Sequence, residues 1–284
     1  MSEQISVLYL SMTCNEQTWN AIQLKSIVKG SVAPLVFDRL LLKGLSQQDK
    51  FDLNVYSFPS VPSVPASKVV GWGLKKEEVT EGVKTKWLPA LNFHGLKQLS
   101  FFISALLVGL NWALKGRGSN KLIVIYSQFL PVAAAVILIS KLFKIKCTTV
   151  IADIPEYLFI TAKKNKVLRI LTKPYIKLTS LIQGKFDKYV FLTEEMNKLI
   201  NVNNKPYVII EGICDPELFD GIQPAKVSGK KSIMYAGGLS RKYGLGLLLD
   251  AFQNIQDDIE LWIFGSGDMH EELQAMSLIH PRLK

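Results

Sequence analysis

Residues 232–252 read SIMYAGGLSRKYGLGLLLDAF, and residues 259–276 read IELWIFGSGDMHEELQAM. Both stretches run from a short apolar β-rich segment into glycines and then into a helical pattern. Ser232–Ala236 is expected as a buried strand closing on Gly237 and Gly238, with a helix starting near Tyr243 or Gly244. Ile259–Phe264 is expected as a second strand, closing on Gly265-Ser266-Gly267-Asp268, with a helix over Asp268–Met276. Glycines let a backbone come close to a ligand, and the free amides of a helix start favour an anion. Arg241 and Lys242 share the turn with Ser240, and their charges suit a diphosphate. Ligands of open α/β sheets bind at the carboxyl ends of the strands. Gly237, Gly238, Ser240, Arg241, Lys242, Gly265 and Gly267 therefore point to one nucleotide site. The same residues also read as ordinary tight βα turns with solvated basic side chains.

Upstream, strands and helices alternate. Ile5–Leu10, Phe51–Phe58, Lys121–Tyr126, Cys147–Ala152, Tyr189–Leu192 and Tyr207–Ile210 read as strands. Gln17–Gly30, Leu130–Phe143 and Glu194–Ile200 have helical spacing, and Leu96–Lys115 reads as a buried helix stopped by Gly116 and Gly118. Pro59, Pro62 and Pro65 mark a loop or extended strip, and residues 66–92 show no clear period. This alternation implies parallel sheets covered on both faces. A polar segment over residues 216–230, with Pro216, Gly221, Pro224 and Gly229, reads as a linker. It divides the chain into domains at 1–222 and 223–284, with no internal repeat.

The chain has 284 residues, 48% hydrophobic and 20% charged, which excludes a disordered or fibrous protein. Three separated cysteines and three histidines argue against a disulfide framework and a multi-histidine metal site. No metal and no cofactor is expected. The net charge of +10 is uneven: residues 141–188 hold eleven basic and three acidic side chains. Lys166, Arg169, Lys173 and Lys177 recur at spacings of three and four, beside an apolar row, in a helix interrupted or started at Pro174. That pattern suits an anionic membrane surface, or a plain surface helix with solvated lysines. Nothing accompanies it that reads nucleic-acid bases. The N-terminus lacks a basic signal region, which favours the cytoplasm, and Phe101–Leu114 is shorter than the ~20 residues that span a bilayer.

The stretches YAGGLSRKYGLGLLLDAF and LWIFGSGDMHEEL, preceded by FLTEEM (191–196) and VIIEGICD (208–215), resemble family 4 retaining glycosyltransferases of the bacterial exopolysaccharide type. The resemblance implies a GT-B fold. That fold would be an α/β chain with an N-terminal Rossmann-like parallel-sheet domain on the acceptor side, followed by the first part of a second Rossmann-like domain that binds the donor. It implies sugar transfer from a nucleotide-sugar to a lipid-linked or glycan acceptor, with retention and without bound metal. Positive side chains and helix amides would stabilise the leaving diphosphate. It places the enzyme in the cytoplasm, peripheral on the inner face of the plasma membrane. Where the family carries a histidine–aspartate pair this chain has Ala152-Asp153, so Asp153 is expected at the sugar site, with a helix cap or buried turn as its alternative. Glu156 lies nearby. Ser11-Met12-Thr13-Cys14-Asn15 is expected to line the acceptor side or to form a plain polar loop, with Cys14 inert.

The family's usual lysine falls on Tyr243, which leaves Arg241 and Lys242 as substitutes. The family's two donor-contacting glutamates would lie past Lys284, so this chain is expected to transfer little by itself. A non-catalytic partner and a nucleotide-binding subunit at the membrane are the competing readings.

Overall fold

The computed structural model describes residues 4–28, 30–115, 120–127, 129–154, 166–223 and 231–284, with side chains of 166–172 left out of the description. Gly116, Gly118, Glu156, Lys163, Pro224 and Gly229 lie outside the described residues. The chain divides into two compact units, Met1–Pro216 and Glu217–Lys284.

In the first unit the strands are β1 Ile5–Ser11, β2 Phe51–Ser57, β3 Gly71–Trp72, β4 Lys76–Thr80, β5 Val83–Trp87, β6 Ala90–Leu91, β7 Lys121–Tyr126, β8 Lys146–Ile151, β9 Lys188–Phe191 and β10 Tyr207–Ile209. Its helices are α1 Glu16–Leu24, α2 Ala33–Ser46, α3 Leu96–Leu114, α4 Leu130–Phe143, α5 Lys166–Gln183 and α6 Glu194–Ile200. Eight strands form one sheet in the order β10-β9-β8-β7-β1-β2-β5-β4. All pairs are parallel except β4 with β5. Strand side chains alternate between faces, so each face has its own core. Leu8, Leu10, Ile123 and Ile125 pack with Phe101, Ala105, Trp112 and Val136 of α3 and α4. Val7, Tyr9, Val124 and Tyr126 pack with Leu42 of α2, Val55 and Val150. Both faces of β1 and β7 are thus covered, which explains their unbroken apolar runs.

The packing of α3 on α4 depends on Gly109. A Cβ there would lie 2.1 Å from Ile139 Cδ1. The expectation of a buried α3 is corrected. Phe101, Ala105, Trp112 and Ala113 are buried, whereas Leu99, Ile103, Leu107 and Leu114 are exposed on its outer side. Only one side of this helix faces the sheet. The helix expected over Gln17–Gly30 ends at Leu24, because Ser26 leaves it to bridge Ser67. Helix α5 runs through Pro174 without stopping there.

The second unit has β11 Lys231–Gly238, α7 Leu245–Gln253, β12 Ile259–Ser266 and α8 His270–Ile279. The two strands are parallel and paired over their whole lengths, from Lys231↔Ile259 to Gly238↔Ser266. Leu283 bridges Leu261 on the other side of β12. Leu239, Leu245, Leu249, Phe252, Leu261, Met269 and Leu273 form its core. The expectation of a buried strand at 232–236 is corrected: Ile233 and Met234 of β11 are exposed, with Trp262 and Phe264 of β12. The strand has its hydrogen-bonding partner, but its outer side chains have no helix layer over them among the described residues.

Candidate functional site

Strand β1 lies between β2 and β7, so the chain order reverses beside it. Ligands of such sheets bind in the crevice at the carboxyl ends where the order switches. In the first unit those ends are Ser11 of β1 and Tyr126 of β7. The carboxyl of Asp38, fully buried on α2, gathers the turn after β1. It accepts hydrogen bonds from the Tyr9 hydroxyl (2.8 Å), the Ser11 hydroxyl (2.7 Å) and the Met12 amide (2.9 Å). Burial pushes this carboxyl up to about 6, against the opposing pull of Ser11, Tyr9 and the Met12 and Thr13 amides.

The turn is held from other sides too. Arg39 Nη2 donates to the Cys14 carbonyl at 2.9 Å, and the Asn15 amide donates to Glu77 Oε1 at 3.3 Å. Glu77 also accepts from Thr18 Oγ1 and Trp87 Nε1, each at 2.7 Å. Ser11, Thr13 and Cys14 are consequently buried. This stretch is not a plain polar loop, and only Met12 and Asn15 of it are half-exposed. Burial and the Glu77 charge push the Cys14 thiol up to about 12, which keeps it protonated and unreactive.

Tyr126 is fully buried, and among the described residues its hydroxyl has no hydrogen-bond partner. Burial, then the charges of Asp38 and Asp153, drive this phenol far above its usual value. Ser127 follows in the left-handed region (φ 68°), a conformation costly for a non-glycine residue. Asp153 follows β8 and is exposed as a residue, while partial burial of its carboxyl raises it above the usual range. Asp153 and Tyr126 thus act on each other electrostatically at the carboxyl ends of neighbouring strands. Sequence reasoning finds Asp153 but misses Asp38 and Tyr126. The one available signal for Tyr126 is a phenol closing an otherwise aliphatic strand.

In the second unit the register sets Gly237 opposite Gly265 and Gly238 opposite Ser266. The two glycine turns are therefore adjacent. The Leu239 amide donates to the Ser266 carbonyl at 2.9 Å, and the Met269 amide donates to the Leu239 carbonyl at 3.0 Å. Gly265 has φ 151°, and a Cβ there would sit 1.8 Å from the Gly237 carbonyl oxygen. A Cβ on Gly267 would sit 2.2 Å from the Leu239 carbonyl oxygen. These two glycines are required by the approach of one turn to the other.

A single 3-10 turn, Arg241–Tyr243, precedes α7, and Gly244 (φ 80°) is the residue before the helix. The helix therefore begins at Leu245, just after the expected start near Tyr243 or Gly244. Ser240 donates its amide to the Gly238 carbonyl at 3.0 Å and is half-buried. Arg241 Nη2 is 2.5 Å from Glu272 Oε1 of α8, with both side chains largely exposed. Lys242 Nζ lies 4.6 Å from the centroid of the Tyr243 ring, and that ring covers Gly238. Gly237, Gly238, Ser240, Arg241, Lys242, Gly265 and Gly267 thus lie in one pair of linked turns. Arg241 and Lys242 have separate partners there.

Lys173 and Lys177 are exposed, one turn apart on α5; Lys166 and Arg169 belong to the same helix, but their side chains are outside the described residues. Among the described residues no three His, Cys, Asp or Glu side chains gather as metal ligands.

No protein-family profile matches the chain, and no curated protein is similar to it in sequence. Solved structures are similar in fold. A lipopolysaccharide outer core galactosyltransferase, WaaB, in its apo form, has a TM-score of 0.54 at 12% identity, over 98% of this chain and 67% of that one. Anabaena HepE in complex with UDP gives 0.48 at 11% identity, over 99% and 68%. HepE in complex with UDP and glucose gives 0.47 at 12% identity, over the same shares. The likeness to WaaB bears on architecture, and it agrees with the parallel sheets described above: the chain has a GT-B-like α/β fold, a Rossmann-like unit followed by a second unit of parallel strands and helices.

Proposed function

We propose that the chain is a glycosyltransferase that takes its sugar from a nucleotide-sugar and passes it to a lipid-linked glycan, with retention, in cell-surface or exopolysaccharide synthesis. The observation that carries this reading is the register Gly237↔Gly265. It sets two glycine turns side by side at the carboxyl ends of β11 and β12, with Arg241, Lys242 and the start of α7 immediately after one of them. WaaB, whose fold the chain shares, is a galactosyltransferase of the lipopolysaccharide outer core, which supports the reaction class.

The donor diphosphate lies against Gly237–Gly238, Ser240 and Gly265–Gly267. Arg241 and Lys242 turn towards it and offset the negative charge that grows as the leaving group departs. Arg241 must release Glu272 to do so. No metal takes part in this reading. Asp153 binds a hydroxyl group of the sugar or acceptor at the switch point of the first unit. The enzyme is cytoplasmic and peripheral on the membrane, held by the cationic side of α5, including Lys173 and Lys177.

Calorimetric titration of UDP and GDP tests the donor site. Arg241→Ala/Lys242→Ala is expected to weaken binding at least tenfold, as each charge-assisted contact contributes about 1.5–3 kcal/mol. Unchanged affinity in a folded double variant would remove both residues from the site.

A further inference from the structure

Residues 17–37, 53–76 and 82–152 contain no aspartate or glutamate, although the last of these stretches holds nine lysines and arginines. In the first unit the three stretches adjoin. Ser26 and Ser67 form an antiparallel bridge, with the Ile27 amide donating to the Ala66 carbonyl and the Lys68 amide to the Lys25 carbonyl, so residues 25–27 run beside residues 66–68. The Asn92 amide donates to the Val70 carbonyl at 2.9 Å. From there an open cavity of about 840 Å³, lined by Val70, Trp72, Leu91, Phe93 and Ile103, runs onto α3. The outer side of α3 continues it with Leu99, Ile103 and Leu107, spaced one turn apart.

These side chains are strongly exposed: Leu24 85%, Ile27 80%, Val70 60% and Leu107 61%. Apolar surface of this extent marks an interaction site. Lys25, Lys68 and Lys115 are exposed at its margin. Helix α3 is long and apolar enough to cross a membrane by length and composition, with a mean hydropathy of 1.3. It does not leave the domain to do so. Phe101, Ala105 and Trp112 are locked in the sheet core, and only 28% of its apolar window is buried. An apolar helix with one side in a core and the other bare fits the plane of a membrane interface.

We propose that this face is a second membrane contact, separate from α5, on which Leu24, Ile27, Val28, Leu99, Ile103 and Leu107 enter the headgroup–acyl boundary of an anionic bilayer. Lys25, Lys68 and Lys115 meet the lipid phosphates. The absence of carboxylates over three adjoining stretches is the complementarity that favours an anionic lipid surface over a protein partner of mixed charge. The proposal rests on the peripheral-membrane reading above and not on sugar transfer.

The test is sedimentation of the full chain with phosphatidylcholine vesicles containing or lacking 30% phosphatidylglycerol. Ile27→Glu/Val28→Glu and Ile103→Glu/Leu107→Glu alter exposed positions, so circular dichroism should match the parent. Each pair is expected to lower affinity for anionic vesicles at least tenfold. As a readout free of charge insertion, Leu107→Cys in a Cys214→Ser background, labelled with an environment-sensitive dye, should shift to the blue on adding anionic vesicles. If the parent chain binds no vesicles, the peripheral reading and this proposal both fail. If the parent binds, while both pairs bind equally well and the dye does not shift, this surface alone is overturned. Concentration-dependent dimers that the Ile103→Glu/Leu107→Glu pair dissolves would also overturn it, by assigning the face to a second copy.

Discussion

The Asp38 carboxyl accepts from Tyr9, Ser11 and the Met12 amide while fully buried. Its folded value, about 6, lies above the ordinary 3.8, so between these values the folded state binds more protons than the unfolded one. The contribution of Asp38 to stability is therefore greatest below about pH 4, falls as the pH rises to about 6 and stays level above. The loss through Asp38 is at most roughly 3 kcal/mol. Urea titrations between pH 4 and 7 should show this decline in the parent and a flatter profile in Asp38→Asn. Equal slopes would refute the assignment. Asp38→Ala strands three donors and should cost about 3 kcal/mol or more at pH 7. In the second unit, Glu272→Gln frees Arg241 from an exposed ion pair worth about 1 kcal/mol or less. It should tighten UDP binding roughly two- to fivefold in calorimetry and leave the melting temperature nearly unchanged. Weaker binding would show that Glu272 positions Arg241 and does not compete for it.

Helix α5 presents Lys173 and Lys177 one turn apart and exposed. A lysine near an anionic leaflet contributes about 1 kcal/mol, so Lys173→Glu/Lys177→Glu should reduce binding to anionic vesicles by tenfold or more and leave binding to neutral vesicles unaltered. Undiminished binding would take α5 out of the membrane contact. Elements with clean periodicity, such as β1, β7 and α4, are legible in the sequence because both their faces meet apolar neighbours. Helix α2 is not. Its buried positions are Leu35, Asp38 and Leu42, so the carboxylate that organises the turn also interrupts the apolar face that would announce the helix. The hairpin β4–β5 escapes for a different reason. Val79, Val83, Thr85 and Trp87 alternate inward, but lysines and glutamates fill the outward positions of this edge pair. Such charges protect an edge from further pairing while masking its strand character. The glycine turns are legible because glycines closing an apolar run are themselves the signal, although the backbone that requires Gly265 and Gly267 belongs to the other turn. The pairing of Arg241 with Glu272 is not, since it joins residues thirty-one apart through the fold.

At the scale of the molecule, the first unit has an eight-stranded sheet covered on both faces, and the second a two-stranded sheet with one face bare among the described residues. Amide exchange should accordingly be slowest in β1 and β7 and markedly faster in β11, whose side chains are exposed. Equal protection would indicate that the bare face of the second unit is covered in solution. The central claim is that the adjoining glycine turns of that unit hold a nucleotide diphosphate. Hydrogen exchange of the full chain with and without UDP and GDP tests it directly. Protection confined to residues 237–246 and 265–270 with at least one nucleotide is the predicted result. Protection only at residues 11–15 and 126–127, or none with either nucleotide, would contradict it.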